Sequence, residues 1–68
     1  MTREAAIYRA VRIVGNYFGQ WLSVMRDDNG EYRIAPSNSA REYNYQLEGF
    51  SVYAEVEPSG VVHFLGAK

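Results

Sequence analysis

The chain of 68 residues carries seven basic and eight acidic side chains, one histidine and no cysteine. This near balance of charge argues against binding to nucleic acid or to a membrane surface driven by net charge, and the composition excludes disulfides and a zinc site of the Cys/His type. We therefore predict no metal site and no cofactor. We predict one domain over residues 1–68. The core of a domain this small rarely contributes more than about 3–5 kcal/mol, so self-association or a protein partner is the expected further source of stability.

The chain has no apolar run near the ~18 residues that a membrane span needs. Its start, MTREAAIYRA, mixes charges of both signs where a signal peptide has a basic region followed by an apolar block. These features predict a cytoplasmic protein.

A first helix is expected over about 3–18. Thr2 caps its start and Glu4 suits the positive end of the helix dipole. Gly19 is the expected end, and the alternative is that Gly15 ends the helix one turn earlier. The apolar stripe that predicts the helix has three- and four-residue spacing and comprises Ile7, Ala10, Val11, Val14 and Phe18.

A hairpin is expected over about 20–35, with its turn at Asp27 to Gly30. A two-residue turn at Asn29-Gly30 would place Arg26 opposite Arg33, which is unfavourable for like charges. A type I turn with Gly30 in a left-handed bulge instead places Val24 opposite Ile34. We favour this second register.

A short second helix is expected over about 40–48. Ser39 and Glu42 form a capping box, and Ala40, Tyr43 and Leu47 form a short apolar stripe.

The last hairpin is expected over about 50–65. Its turn, Glu57-Pro58-Ser59-Gly60, has proline and glycine at the positions typical of a type I turn followed by a glycine bulge. This turn places Val56 opposite Val62, Glu55 opposite His63 and Ala54 opposite Phe64. The face predicted to be core carries Phe50, Val52, Ala54, Val56, Val62 and Phe64.

These elements predict an α+β fold of αββαββ type, with two helices packed on one face of an antiparallel sheet of about four strands. Gly19 and Gly49, like Gly30 and Gly60, are thirty residues apart. A degenerate double αββ repeat is one interpretation, and coincidence between two common hairpin types is the other.

The outer face of this sheet is expected to be a protein-contact surface. Alternation along the strands places on it five apolar or aromatic side chains as partner-binding candidates: Trp21, Met25, Tyr53, Val61 and Leu65. Apolar patches of this kind usually mark contact surfaces, and Trp and Tyr are frequent anchors. Two alternatives are a loop or tail that covers the face, and a register shifted by one residue that turns Trp21 inward.

Glu55 and His63 are expected to oppose each other on the same face as a solvated ion pair. Catalysis would need a nucleophile beside this pair, and the face offers only Ser23 and Ser51, without a second base. We therefore predict no catalytic residues and no enzymatic activity.

A second candidate surface lies on the polar side of the first helix, where Arg9 and Arg12 could contact phosphates and Tyr8 could stack on a base. Glu4 interrupts this patch, and no recognised nucleic-acid-binding motif accompanies it. A solvated helix face is the better interpretation.

The sequence thus favours a non-enzymatic protein-binding module that also forms a homodimer. In size, tyrosine content and lack of catalytic groups the chain looks like small proteins of bacteriophages and mobile elements that bind a host protein, including inhibitors of bacterial defence systems. The alternative is a small nucleic-acid-binding or regulatory domain that uses the arginines of the first helix.

Overall fold

A computed structural model describes residues 2–65 and shows two helices and a four-stranded antiparallel sheet, which confirms the predicted α+β class. Within these residues no helix combines the length and the apolar character needed to cross a membrane. The elements in chain order are α1 (Arg3–Ile13), a 3-10 helix (Val14–Tyr17), β1 (Leu22–Arg26), β2 (Tyr32–Pro36), α2 (Ala40–Leu47), β3 (Ser51–Val56) and β4 (Val62–Phe64).

Helix α1 begins where the sequence predicts and ends earlier. The Thr2 hydroxyl accepts a hydrogen bond from the backbone N–H of Ala5 at 3.1 Å, which caps the helix. The regular helix stops at Ile13, and after the 3-10 helix Phe18 adopts a left-handed conformation with φ of 50°. The tighter 3-10 turn breaks the helical spacing, so Phe18 leaves the apolar stripe and lies exposed.

The sheet order is β2-β1-β3-β4, so both hairpins are formed by neighbouring strands and β1 pairs with β3 at the centre. In the first hairpin Val24 lies opposite Ile34, as the favoured register predicts. In the second, Val56 lies opposite Val62. Gly30 and Gly60 have φ of 83° and 98°, the left-handed conformation that both bulged turns require.

A β-bulge interrupts the pairing of the two central strands. Val24 lies opposite Ala54, whereas the next residue, Met25, lies opposite Val52, so Tyr53 has no partner in β1. The extra residue shifts the alternation of side chains along β3. Tyr53 therefore turns to the same face as Ala54, and the residues before it change sides.

Helix α1 covers one face of the sheet. Its buried side chains are Ala6 and Ala10, and together with Val14 of the following 3-10 helix they belong to one core cluster with inward-facing residues of the strands. The strand residues of that cluster are Leu22, Val24, Tyr32, Tyr53, Ala54 and Val56, and Ile34 and Val62 pack against it.

Helix α2 contacts the opposite face, so the two helices do not share one face as the sequence analysis expects. Ser23 lies between Leu22 and Val24 in β1, and its side chain must point away from the face that α1 covers. The Ser23 hydroxyl donates a hydrogen bond to the Glu42 carboxylate of α2 at 2.6 Å. Met25 and Ala35 are buried on this second face. Both faces of β1 are therefore buried, whereas the sequence predicts an accessible outer face.

The two αββ segments are not related by the two-fold symmetry that a structural repeat would give. A two-fold axis that exchanges β1 with its antiparallel neighbour β3 is perpendicular to the sheet. Rotation about this axis keeps each face of the sheet on its own side, so it would place both helices on one face. The two αββ segments place their helices on opposite faces, so no such rotation relates them.

Candidate protein-contact surfaces

Two of the five predicted partner-binding residues are buried and three are exposed. Met25 is fully enclosed and Tyr53 is almost so. Met25 lies on the face that α2 contacts through Glu42, and the bulge rotates Tyr53 toward α1. Trp21, Val61 and Leu65 remain accessible. The predicted surface thus shrinks to the side of the sheet near β4.

Strand β4 and its neighbours expose apolar side chains on both faces of the sheet. The exposed fractions are 39% for Trp21, 52% for Val61, 53% for Phe64 and 40% for Leu65. The Trp21 ring lies beside the His63 ring, with centroids 5.4 Å apart. We call these five residues, Trp21, Val61, His63, Phe64 and Leu65, the β4 surface.

His63 forms its contact with Glu57 and not with Glu55. Glu55 is the residue opposite His63 in the ladder, as predicted. However, the His63 Nε2 atom lies 2.6 Å from the Glu57 carboxylate, which also accepts a hydrogen bond from the Ser59 hydroxyl at 2.7 Å. The Ser59 hydrogen bond, followed by the His63 contact, lowers the pKa of Glu57. The turn itself therefore supplies the partner of the histidine.

An apolar groove of about 690 Å³ lies between α1 and the β3–β4 side of the sheet. Its apolar walls are formed by Ile7, Tyr8, Val11, Tyr53 and Phe64. The Phe64 ring meets the Tyr53 ring edge-on at 5.8 Å between centroids. The groove continues the β4 surface on the α1 side.

One end of this groove carries a charged pair. The Arg3 guanidinium donates hydrogen bonds to the Tyr53 hydroxyl at 3.3 Å and to the Glu4 carboxylate at 3.2 Å. The contact with Tyr53 is the main cause that raises the pKa of Arg3. The pKa of Glu4 is lowered, first by its own backbone amide in the opening helical turn and then by Arg3.

The predicted nucleic-acid surface lies on α1, where Tyr8, Arg9 and Arg12 are all exposed. The Arg12 guanidinium carbon lies 5.6 Å from the centroid of the Tyr8 ring, a cation–π contact within the protein. Tyr8, Arg9 and Arg12 line one shallow hollow of about 450 Å³. The structure therefore brings these three residues together.

A buried polar cluster, which the sequence analysis missed, joins α2 to the sheet. Because the single hydroxyl hydrogen of Ser23 is donated to Glu42, the Ser37 hydroxyl must donate to Ser23 across their 2.8 Å contact. The other Glu42 oxygen accepts from the backbone N–H of Asn38 at 2.6 Å. The capping box is thus half formed: Ser39 accepts from the Glu42 N–H at 3.1 Å, whereas the Glu42 carboxylate turns to Ser23 and Asn38.

Phe18 is a surface residue, although the sequence predicts it on the apolar stripe of the first helix. It is 96% exposed and combines a bulky side chain with a left-handed backbone. Such a conformation costs a non-glycine residue about 1–2 kcal/mol. Phe18 and Trp21 both lie in the loop between the 3-10 helix and β1, so this loop carries two exposed aromatic side chains.

The described residues contain no cluster suited to metal binding: among residues 2–65 no group of three His, Cys, Asp or Glu side chains could hold an ion.

Comparison with known proteins finds no matching family model, no matching curated protein and no matching solved structure.

Proposed function

We propose that this chain is a non-enzymatic protein-binding module whose contact surface follows β4. The observation that carries the proposal is the exposure of Trp21, Val61, Phe64 and Leu65 around one short edge strand. Large apolar side chains concentrated at one place on a small protein usually mark an interaction site.

The chemical character of the β4 surface favours a protein partner over a small ligand or a nucleic acid. Its side chains are apolar or aromatic, and its one titratable group, His63, is already in contact with Glu57. Tryptophan is among the residues most enriched in the energetic centres of protein interfaces. Trp21 is therefore the proposed anchor, and Val61 and Leu65 extend the contact along the strand.

The proposal includes the class suggested by size and composition, a protein of bacteriophage or mobile-element type that inhibits a host or defence protein in the cytoplasm. What supports it is the combination of a 68-residue chain with a partly apolar surface. Such a protein acts by occupying a surface of its target, and it needs no catalytic group.

The decisive experiment replaces Trp21 with alanine. A buried tryptophan truncated to alanine typically costs about 3–5 kcal/mol and would unfold a domain of this size, whereas loss of an exposed anchor weakens binding by about 2 kcal/mol or more. We expect Trp21→Ala to keep a native circular dichroism spectrum and a cooperative melt, and to lose the proteins that the tagged wild-type chain captures from cells of its source.

The matched control is Tyr43→Ala, which removes an exposed aromatic ring of α2, away from β4. This variant is expected to capture the same proteins as the wild type. The proposal is wrong if both variants retain the same captured proteins. It is also wrong if Trp21→Ala unfolds the chain.

A second candidate function is nucleic-acid binding through α1, which the grouping of Tyr8, Arg9 and Arg12 around one hollow favours. Phosphate contacts would make such binding weaken steeply with salt. The test is titration of labelled single-stranded RNA and DNA at about 50 and 200 mM salt, with Arg9→Ala/Arg12→Ala as the comparison. Binding that falls with salt and with the double substitution would support this function, and salt-insensitive or absent binding would remove it.

A further inference from the structure

Strand β4 forms one edge of the sheet, and the direction of its backbone groups follows from two hydrogen bonds. The Val61 carbonyl accepts from the Glu57 N–H at 2.9 Å, and the Leu65 N–H donates to the Tyr53 carbonyl at 2.9 Å. Val61 and Leu65 therefore direct these groups toward β3.

Backbone groups alternate in direction along an antiparallel strand, so His63 also faces β3, while Val62 and Phe64 direct their N–H and C=O groups outward. Among residues 2–65 no further strand lies beside β4. The outer edge thus presents two donors and two acceptors that a further strand could pair.

The two edges of the sheet differ in their protection. The opposite edge, β2, includes Pro36, which has no N–H, and Arg33, which is exposed and charged. Proline and charged side chains are common devices that prevent pairing at an edge. The β4 edge includes neither, and its Phe64 side chain is half exposed. The β4 edge is thus less protected against pairing than the β2 edge.

The apolar pattern around β4 is the same in both chain directions. Residues 61 to 65 read Val-Val-His-Phe-Leu, with an apolar pair on each side of the histidine. In an antiparallel pairing of two copies centred on His63, Val62 lies opposite Phe64 of the second copy and Val61 lies opposite Leu65. Every apolar side chain of the strand then meets an apolar side chain, as a two-fold interface requires.

We propose that two copies of this protein form a two-fold dimer by antiparallel pairing of their β4 edges about His63. This inference rests on the proposed function, since it names a second copy as one partner of the β4 surface. In this register Val62 and Phe64 of each copy exchange hydrogen bonds with Phe64 and Val62 of the other, which satisfies all four outward groups on both strands.

The neighbouring registers satisfy fewer groups of the described strand. Centring the pair on Val62 leaves only the Val62 groups paired, because Phe64 then lies opposite Gly60, which belongs to the turn. Centring it on Phe64 places Val62 opposite residue 66, outside the described residues. The register centred on His63 is therefore the one that the described strand supports.

Pairing at β4 joins the two sheets into one of eight strands and doubles the aromatic surface. The Trp21 ring lies beside His63 in each copy, so the two-fold places Trp21, His63 and their counterparts in one row across the dimer. In this dimer Val61 and Leu65 contact each other across the interface, and Trp21 lies at the rim of the joined face.

Cysteine cross-linking tests both the dimer and its register, because the chain has no cysteine of its own. The two His63 residues form a non-hydrogen-bonded pair with Cα atoms about 4.5 Å apart, which is within the range that a disulfide spans. We expect His63→Cys to form a disulfide-linked dimer under mild oxidation, and to do so at least about tenfold faster than in denaturant, where pairing is absent.

Two matched variants serve as controls. In the proposed register the two Val61 residues are four positions apart along the strand direction, a distance of about 13 Å. This distance is too long for a disulfide. Val61→Cys and the α2 variant Tyr43→Cys should therefore both cross-link at the slow collisional rate. Equal rates in all three variants would overturn the dimer, and faster linkage of Val61→Cys would overturn the register.

Sedimentation of the untagged chain supplies a measurement that does not depend on cysteine. The wild type is expected to sediment at twice the mass of the chain at high concentration, and Phe64→Lys as a folded monomer, because two lysines would then face Val62 at the pairing edge. Tyr43→Lys should remain dimeric. A strictly monomeric wild type over a hundredfold concentration range contradicts the dimer, whereas the proposed protein-binding function fails separately, through the Trp21→Ala comparison.

Discussion

Phe18 shows how a single residue can depart from the pattern that surrounds it. The helical spacing places it on the apolar stripe of the first helix, yet it lies exposed with a left-handed backbone. Residues strained in this way tend to persist where function needs the side chain. Its position in the segment before Trp21 makes it a candidate second aromatic contact for a protein partner.

Two substitutions separate the strain at Phe18 from its ring. Phe18→Gly relieves the left-handed conformation, and we expect it to raise the free energy of unfolding by about 1 kcal/mol relative to Phe18→Ala, which removes the ring and keeps the strain. Urea denaturation of both variants measures this difference. Equal stability of the two variants would show that the backbone at this position is not strained.

At the scale of the element, the buried cluster around Glu42 holds α2 against the sheet. Its carboxylate accepts hydrogen bonds from the Ser23 hydroxyl and the Asn38 N–H, both at 2.6 Å. A carboxylate that is buried with its hydrogen-bond donors fixes the position of a short helix more specifically than apolar contact alone. This cluster joins α2 to the side of the sheet opposite α1.

Removal of Glu42 should therefore cost more than its place in a short helix suggests. Glu42→Ala removes the acceptor of both the Ser23 hydroxyl and the Asn38 N–H. We expect a loss of about 2–3 kcal/mol, a large part of the stability of a small domain. Glu48→Ala, at the exposed end of the same helix, is expected to change stability by less than about 0.5 kcal/mol. Urea denaturation of both variants gives the comparison, and equal losses would remove the special role of Glu42.

At the scale of the whole molecule, the proposed dimer would link stability to association. A small domain gains stability when a partner binds only its folded form, and about 2.7 kcal/mol follows from a partner at a hundred times its dissociation constant. The proposed dimer therefore makes stability depend on concentration.

We expect the midpoint of thermal unfolding of the wild type to rise by several degrees as the chain concentration increases about a hundredfold, because 1 kcal/mol corresponds to roughly 4–8 °C in a domain of this size. Differential scanning calorimetry measures the midpoint, and Phe64→Lys should abolish the rise. A concentration-independent midpoint in the wild type would show that the folded monomer accounts for all of the stability.

The sequence by itself determined the α+β class and both hairpin registers. The turns at Gly30 and Gly60 define which residues face each other within a few positions, so Val24 opposite Ile34 and Val56 opposite Val62 follow from local backbone chemistry. The start of α1 at Thr2 follows in the same way, because a cap acts within one helical turn.

Only the tertiary structure decided which face each helix covers and which of the predicted surface residues remain accessible. The bulge that turns Tyr53 toward α1 forms where β1 meets β3, strands whose paired residues lie about thirty positions apart, and no local pattern specifies it. Met25 is buried on the face that α2 contacts through the Glu42–Ser23 hydrogen bond. These features depend on contacts between distant segments, whereas turns and caps depend on neighbouring residues alone.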